Sequence, residues 1–312
     1  MDKKKILATP QFFCSNLFKK NFKPSKNYKF LIVPGPINNQ SKLKRLLASV
    51  DACILGSEKI NIDKELLNNC KKLKIIVRFG TSSNNINVDK NIKSKIKIKS
   101  LDKKISSVAV ARHALSLFLS LTNHLQKHQE NNKKNIWKRY ENLSPENTKV
   151  GLIGMGRIGR VFAKYVKYLG YKVSYHSRTK KNMDKDFKYF NSIEKLINQS
   201  KIISLHVPLN NNTKNLFDKK ILNLLRDKYV INTSRAEIVN ESIFVNLLKK
   251  NHIKGAGIDV FKFEPTIKSS ANLRKLKNVV STPHNAAYDE ATLIKMCTQS
   301  LDHIENFFNK KY

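Results

Sequence analysis

Apolar positions in this chain fall into short dense runs, separated by stretches in which they recur at helical spacing. Residues 4–8, 29–33, 52–55 and 73–78 are runs of the first kind, each suited to a buried strand. Ser41–Val50 and Asp63–Leu73 lie between the later runs and carry the pattern of one helix face. This alternation predicts βαβ units on a parallel sheet, and hence a small doubly wound unit in the first hundred residues. Ser106–Leu125 (SSVAVARHALSLFLSLTNHL) has neither glycine nor proline and predicts a long helix that packs on the next unit. The polar stretch Gln126–Asn147 reads as a surface connection with Trp137 as its anchor.

From Val150 the alternation restarts. Strands are expected near 150–153, 172–176, 201–206, 229–232, 256–260 and 278–282, with helices between them. Six such strands make a full Rossmann sheet. Ala291–Phe308 reads as a final helix.

One stretch joins this pattern to chemistry. Lys149–Arg160 reads KVGLIGMGRIGR, an apolar strand followed by Gly154, Gly156 and Gly159 as G-x-G-x-x-G. Ile158, Val161, Phe162 and Val166 then continue on a helical stripe. Strand, glycine turn and helix in that order form the dinucleotide fingerprint. Gly154 permits the tight turn, Gly156 admits a pyrophosphate to the backbone, and Gly159 lets the helix close on the strand. The phosphates would meet unpaired N–H groups at the helix start.

The second strand of this unit ends YKVSYHSRTKK. An NAD site usually carries an acidic residue here to bind the adenosine ribose. Ser177 and Arg178 stand there instead, and arginine pairs well with a 2′-phosphate, so the expectation leans from NAD towards NADP(H).

Composition narrows the class. The chain has 312 residues, 40% of them hydrophobic, enough for two ordinary domains. The net charge of +37 invites a nucleic-acid reading, but only ten of the 60 basic residues are arginine and the lysines are scattered. A phosphate-gripping surface clusters its charge and favours arginine, so no nucleic-acid partner is expected. No apolar run approaches a membrane span and MDKKKILATP has no secretory apolar core, which points to a cytoplasmic protein with no membrane partner. Cys14, Cys53, Cys70 and Cys297 are far apart, arguing for reduced thiols and against a zinc site; no metal is expected.

Three further segments follow expected strands and so fall at the carboxyl edge of the sheet, where ligands bind. They are VINTSRAEIVNE around Arg235, GAGIDVFKFEP around Asp259 and Glu264, and STPHNAAY around His284. With KKILATP, LKIIVRFGTSSNNINVDK, the glycine motif and SLHVPLNNNT, they make the chain resemble the D-isomer-specific 2-hydroxyacid dehydrogenases, and most closely the phosphoglycerate dehydrogenase-like branch. The resemblance covers nearly the whole chain. It implies a Rossmann dinucleotide-binding domain, residues 102–285, inserted into a smaller flavodoxin-like substrate domain of residues 1–101 plus 286–312.

The family's catalytic arginine, glutamate and histidine fall on Arg235, Glu264 and His284. Its cofactor contacts fall on Arg157, Ile158, Ser177, Pro208, Thr213, Thr233, Asp259 and Ala287, and its substrate loop on Thr81, Ser82 and Ser83. The implied activity is hydride transfer between a nicotinamide cofactor and a 2-hydroxy or 2-oxo acid, in a homodimer. The chemistry agrees. A histidine can hand a proton to the carbonyl oxygen, a carboxylate neighbour favours its imidazolium form, and the forked arginine can hold carboxylate and carbonyl together.

Ser82, Asn84, Arg112 and Ala236 stand where the family usually has glycine, aspartate, glutamate and glycine, and the stretch Lys99–Lys104 replaces its usual Thr-Pro-Gly turn. No reacting group is lost. An NADPH-dependent hydroxypyruvate or glyoxylate reductase is the second reading, since NADPH generally serves reduction. A nucleotide-sensing, corepressor-like binding protein is the alternative from another class, and the intact Arg235, Glu264 and His284 argue against it. His113, His124, His128 and His176 read as structural or exposed.

Overall fold

The computed structural model describes residues 3–22, 26–35, 37–56, 61–80, 86, 88–183, 185–264 and 270–309, and among these twelve strands form two parallel sheets accompanied by twelve α-helices. The chain divides into two compact units, residues 1–105 with 288–312, and residues 106–287.

The first unit runs β1 (Lys4–Ala8), α1 (Asn16–Asn21), β2 (Tyr28–Ile32), α2 (Gln40–Ala48), β3 (Ala52–Leu55), α3 (Lys64–Leu67), β4 (Ile75–Arg78), α4 (Lys90–Lys95) and β5 (Lys97–Ser100). Its strands order as β2-β1-β3-β4-β5, all parallel, which is the flavodoxin order. The central β3 is fully buried, as the run ACIL requires of a strand covered on both faces. At the edge, β5 alternates exposed and half-buried residues (KIKS), and its weak apolar signal hid it from the hydrophobic pattern. The helix expected over Asp63–Leu73 is a single turn capped by Asp63, whose carboxylate accepts from the Leu66 amide.

The second unit runs α5 (Ser107–Thr122), α6 (Leu125–Lys133), β6 (Lys149–Ile153), α7 (Arg157–Tyr168), β7 (Lys172–His176), β8 (Lys188–Phe190), α8 (Ile193–Gln199), β9 (Ile202–Leu205), α9 (Lys219–Asn223), β10 (Tyr229–Asn232), α10 (Glu241–Lys249), β11 (Gly255–Ile258), α11 (Ala271–Arg274) and β12 (Val279–Ser281). Its sheet orders β12-β11-β10-β9-β6-β7-β8, the Rossmann order with a seventh strand added beyond the sixth. The inserted Rossmann architecture is borne out. The strand count is corrected from six to seven, because β8 has only three residues and sits at the edge beside β7. Helix α12 (Glu290–Asn309) returns to the first unit, where Leu293, Met296, Cys297 and Ile304 join the core of Ile6, Ile54 and Val77.

Helix α5 packs on the Rossmann sheet through the stripe Ala114, Leu117, Phe118 and Leu121. Packing is close enough that a Cβ on Gly257 of β11 would lie 2.9 Å from Leu117 Cβ. The expected surface connection after α5 is corrected. His124 takes a left-handed turn (φ 50°) and α6 follows it. Tyr140, not Trp137, is its anchor: the Tyr140 hydroxyl accepts from Asn131 Nδ2 at 3.0 Å and the ring packs on His128, whereas Trp137 is 86% exposed. The polar sequence QKHQENNKK shows no apolar stripe because α6 buries none of its residues. Among the described residues no helix is long and apolar enough to cross a membrane.

Candidate functional site

The chain leaves β6 at Gly154, which adopts φ +102°, a conformation open to glycine but costly to other residues. A Cβ there would also lie 2.6 Å from the His206 carbonyl oxygen. At Gly159, on the first turn of α7, a Cβ would lie 2.3 Å from the Gly154 oxygen, so helix and strand meet without a side chain between them. Gly156 differs from both. It caps α7 with no side-chain hydrogen bond, and a Cβ there would meet nothing within 4 Å. The turn is tied on either side, Gly154 N donating to His176 O and His206 N donating to Ile153 O, each at 2.8 Å. It therefore lies where the sheet order reverses, between β7 and β9. Arg157 and Ile158 follow in the first turn of α7.

Beyond β7, Ser177 is half-buried and donates its hydroxyl proton to the Thr179 oxygen at 2.8 Å. Arg178 is exposed, and Lys181 Nζ donates to Thr179 Oγ1 at 2.8 Å. The turn is basic and has no carboxylate from Ser177 to Lys181.

After β9, Thr213 folds the loop on itself, donating to the Pro208 oxygen at 2.6 Å and accepting from the Asn210 amide at 2.8 Å. Beneath it His206 is buried, with Nε2 2.9 Å from Ser204 Oγ, and burial holds its pKa down at about 3. After β10, Thr233 is buried and its Oγ1 finds no partner among the described residues, while Ser234 Oγ donates to Leu205 O at 2.7 Å. Arg235 is exposed and extended (φ −150°), donating from Nη1 to Ser234 O at 2.6 Å. Ala236 starts a short turn without a positive φ, so nothing there requires glycine.

Asp259 follows β11 and is fully buried. Its Oδ1 accepts from Thr282 Oγ1 at 2.6 Å and from the Asn285 amide at 2.8 Å, and its Oδ2 accepts from the Ala286 amide at 3.0 Å. His113 Nε2, reaching over from α5, lies 3.3 Å from Oδ1. Burial pushes the Asp259 carboxyl up, but the hydrogen bonds from His113, Thr282 and Asn285 more than offset it and hold the group below the usual carboxylate range.

Five residues on, Glu264 accepts the Phe261 amide on Oε1 at 2.7 Å and meets His284 Nδ1 with Oε2 at 2.7 Å. His284 is a left-handed residue (φ 53°) whose amide donates to Asp259 O at 2.8 Å and Thr282 O at 3.0 Å. With Nδ1 on the carboxylate, and the side chain still 45% exposed, the ring has Nε2 left for a ligand. Ala287 is half-buried next to Ala286.

Glu264 and His284 are thus in contact, as are Pro208 and Thr213, while the hydrogen bonds of Arg235 and Ser177 go to their own chain neighbours. Thr81, Ser82, Ser83 and Asn84 lie outside the described residues. His113, read as structural or exposed, is part-buried beside Asp259, a partner the sequence reading did not name. The signal was its position on α5, between the buried Val110, Ala114 and Leu117. Among the described residues no cluster of histidine, cysteine, aspartate or glutamate is arranged to hold a metal.

Residues 115–286 match the family model for the D-isomer specific 2-hydroxyacid dehydrogenase NAD binding domain. A glyoxylate reductase of Thermococcus litoralis is 34% identical over 75% of this chain and 73% of its own length. A hydroxypyruvate reductase of Thermotoga maritima is 29% identical over 80% of this chain and 81% of its own. Among solved structures, an acyclic imino acid reductase in complex with NADPH and D-Arg shares 27% identity, with a TM-score of 0.78 and 98% of each chain covered.

Proposed function

The chain belongs to the D-isomer-specific 2-hydroxyacid dehydrogenases, NAD(P)-dependent oxidoreductases, and from that footing we propose that it reduces small 2-oxo acids of the glyoxylate and hydroxypyruvate class, with NADPH preferred to NADH. The observation that carries the enzymatic reading is the 2.7 Å approach of His284 Nδ1 to Glu264 Oε2 at the carboxyl edge of the Rossmann sheet, while the similar glyoxylate and hydroxypyruvate reductases support the substrate class and the Ser177–Arg178 turn supports the cofactor preference.

The glycine turn fits a dinucleotide. The uncapped start of α7 and the open space at Gly156 suit a pyrophosphate, which would be held by the first amides of the helix at Arg157 and Ile158. Ser177 and Arg178 would meet the adenosine ribose and its 2′-phosphate. Pro208, Thr213, Thr233, Asp259 and Ala287 complete the residues with which the family surrounds its cofactor. When bound, the nicotinamide supplies the hydride.

The chain's own residues then manage the substrate and the proton. His284 Nε2 donates to the carbonyl oxygen as negative charge develops there. Glu264 accepts Nδ1–H and stabilises the imidazolium, while the Phe261 amide on its other oxygen fixes the carboxylate plane. Arg235 holds the substrate carboxylate and polarises the carbonyl with its forked donors.

A cytoplasmic location accords with four free cysteines. A homodimer through the Rossmann unit is supported by the exposed apolar side chains Val108, Leu125, Ile136 and Trp137.

The test is a spectrophotometric screen of 2-oxo acids with NADH and NADPH. Reduction of glyoxylate or hydroxypyruvate with NADPH is expected. Oxidation of phosphoglycerate with NAD alone would place the chain in the phosphoglycerate branch, and dinucleotide binding without turnover of any acid would make it a sensor.

A further inference from the structure

His113 carries α5 into the hydrogen-bonded network under the His284 loop, and the protons in that network can be assigned. The Thr282 hydroxyl has a single proton, and its 2.6 Å hydrogen bond to Asp259 Oδ1 uses it. The 2.8 Å separation of Thr282 Oγ1 and His113 Nε2 therefore needs a proton on the nitrogen. The same nitrogen lies 3.3 Å from Asp259 Oδ1, where a bare lone pair would face a carboxylate. The ring accordingly carries Nε2–H, shared between the hydroxyl and the carboxylate.

What this bond steadies is the geometry of the acid. Asp259 grips the two amides that follow His284 with its side chain and the amide of His284 with its carbonyl. His284 is left-handed, a conformation that persists only where its surroundings fix it. We propose that His113 is a positioning residue for the general acid: its Nε2–H locks Asp259, and Asp259 sets the backbone that aims His284 at Glu264. This rests on the assignment of His284 as the acid. A histidine that merely fills the face of α5 would be replaceable by an apolar residue of similar size with no effect on His284.

The test combines ring-proton NMR with kinetics on the full chain. In the wild type, nitrogen-15 correlation spectra should show His113 as the Nε2–H form, assigned by its absence from H113Q. The downfield proton of His284 Nδ1, bonded to Glu264, should broaden or vanish in H113L and remain in H113Q, whose amide N–H restores the donor. In the same variants kcat for 2-oxo acid reduction should fall about tenfold in H113L and return to within about threefold of wild type in H113Q. An Nδ1–H ring at His113, an unaltered His284 proton in H113L, or a full kcat in that variant would overturn the proposal. A wild type that reduces no 2-oxo acid overturns the enzymatic reading alone, and the two proton signals then decide on His113 by themselves.

Discussion

Alanine at each of the three motif glycines separates folding from dinucleotide binding. At Gly156 the backbone (φ −81°, ψ −162°) is extended and open to any residue, and a Cβ meets nothing within 4 Å. Removing glycine's freedom in the unfolded chain stabilises by about 0.4–1 kcal/mol. Exchanging a tolerated helix cap for a poor one costs about 1 kcal/mol. The two nearly cancel, so G156A should unfold within about 3 °C of wild type. The new methyl group, however, fills the place a pyrophosphate oxygen needs. Each charge-assisted hydrogen bond denied to that oxygen weakens binding by about 1.5–3 kcal/mol, roughly ten- to a hundredfold in Kd. At Gly159 the expectation is reversed. A Cβ 2.3 Å from the Gly154 oxygen must push α7 off the sheet, an overpacking cost of about 1–3 kcal/mol or more. G154A adds a disfavoured φ to a 2.6 Å clash and should be at least as unstable. The assay pairs thermal unfolding with a fluorescence titration of NADPH on each variant. If G156A binds NADPH as tightly as wild type, the pyrophosphate does not lie at this turn. If G156A melts as early as G159A, the space beside it is not open.

Five further outcomes follow from the same structure. Removing the proton donor in H284A should lower kcat by about a hundredfold or more while leaving NADPH affinity intact, and R235K should also fail, since one ammonium cannot make a forked grip; steady-state kinetics decides both. S177D should turn the NADPH preference into an NADH preference, a swing of about ten- to a hundredfold read by paired titrations at one salt concentration, because the net charge of +37 itself favours the more anionic cofactor at low salt. Replacing the exposed ring in W137S should weaken the homodimer, seen as a concentration-dependent shift in sedimentation. Burial holds His206 at about 3 against an ordinary 6.5, so its folded pKa is depressed and stability is lost as pH falls below 6.5. Between pH 7 and 5 that share is about 2 kcal/mol, and H206Q, measured by urea unfolding, should lack it.

The segment from Lys149 to Tyr168 was legible because each motif glycine answers a local need: a positive φ, an open approach and a close packing distance. The central strands were legible for a similar reason, since a strand covered on both faces reads as a near-continuous apolar run, as ACIL does without a break and IISL does but for Ser204. Edges were not. The strands KIKS and KYF carry lysine where one face meets water, and they take their identity from pairing with a neighbour and not from their own pattern. Helix α6 was hidden because it buries none of its residues. The Glu264–His284 pair came from family resemblance and not from spacing, because twenty residues separate the two and only the meeting of β11 and β12 closes that gap. The network of His113, Asp259 and Thr282 was unreadable for the same reason, its members coming from α5, β11 and β12.

Two carboxylates five residues apart divide the work at the end of β11. Asp259 has its charge solvated by hydrogen bonds from the Thr282 hydroxyl, the Asn285 and Ala286 amides and His113, which favour its ionised form. An acid so thoroughly satisfied cannot exchange a proton during turnover, and its part is to hold backbone. Glu264 has one oxygen fixed by the Phe261 amide and gives the other to a ring that is still 45% exposed, so its charge is felt by the group that meets substrate. The arrangement holds two non-glycine residues in left-handed backbone, Phe263 (φ 58°) and His284 (φ 53°), one beside each member of the pair or within it. Left-handed geometry costs an ordinary residue about 1–2 kcal/mol. At His284 the two backbone bonds to Asp259 and Thr282 offset that cost, which is why the buried carboxylate belongs to the same segment as the exposed one. Loosening the anchor at Asp259 would release the strain by turning His284 away from Glu264, and the proton donor would lose its partner before the fold lost its stability.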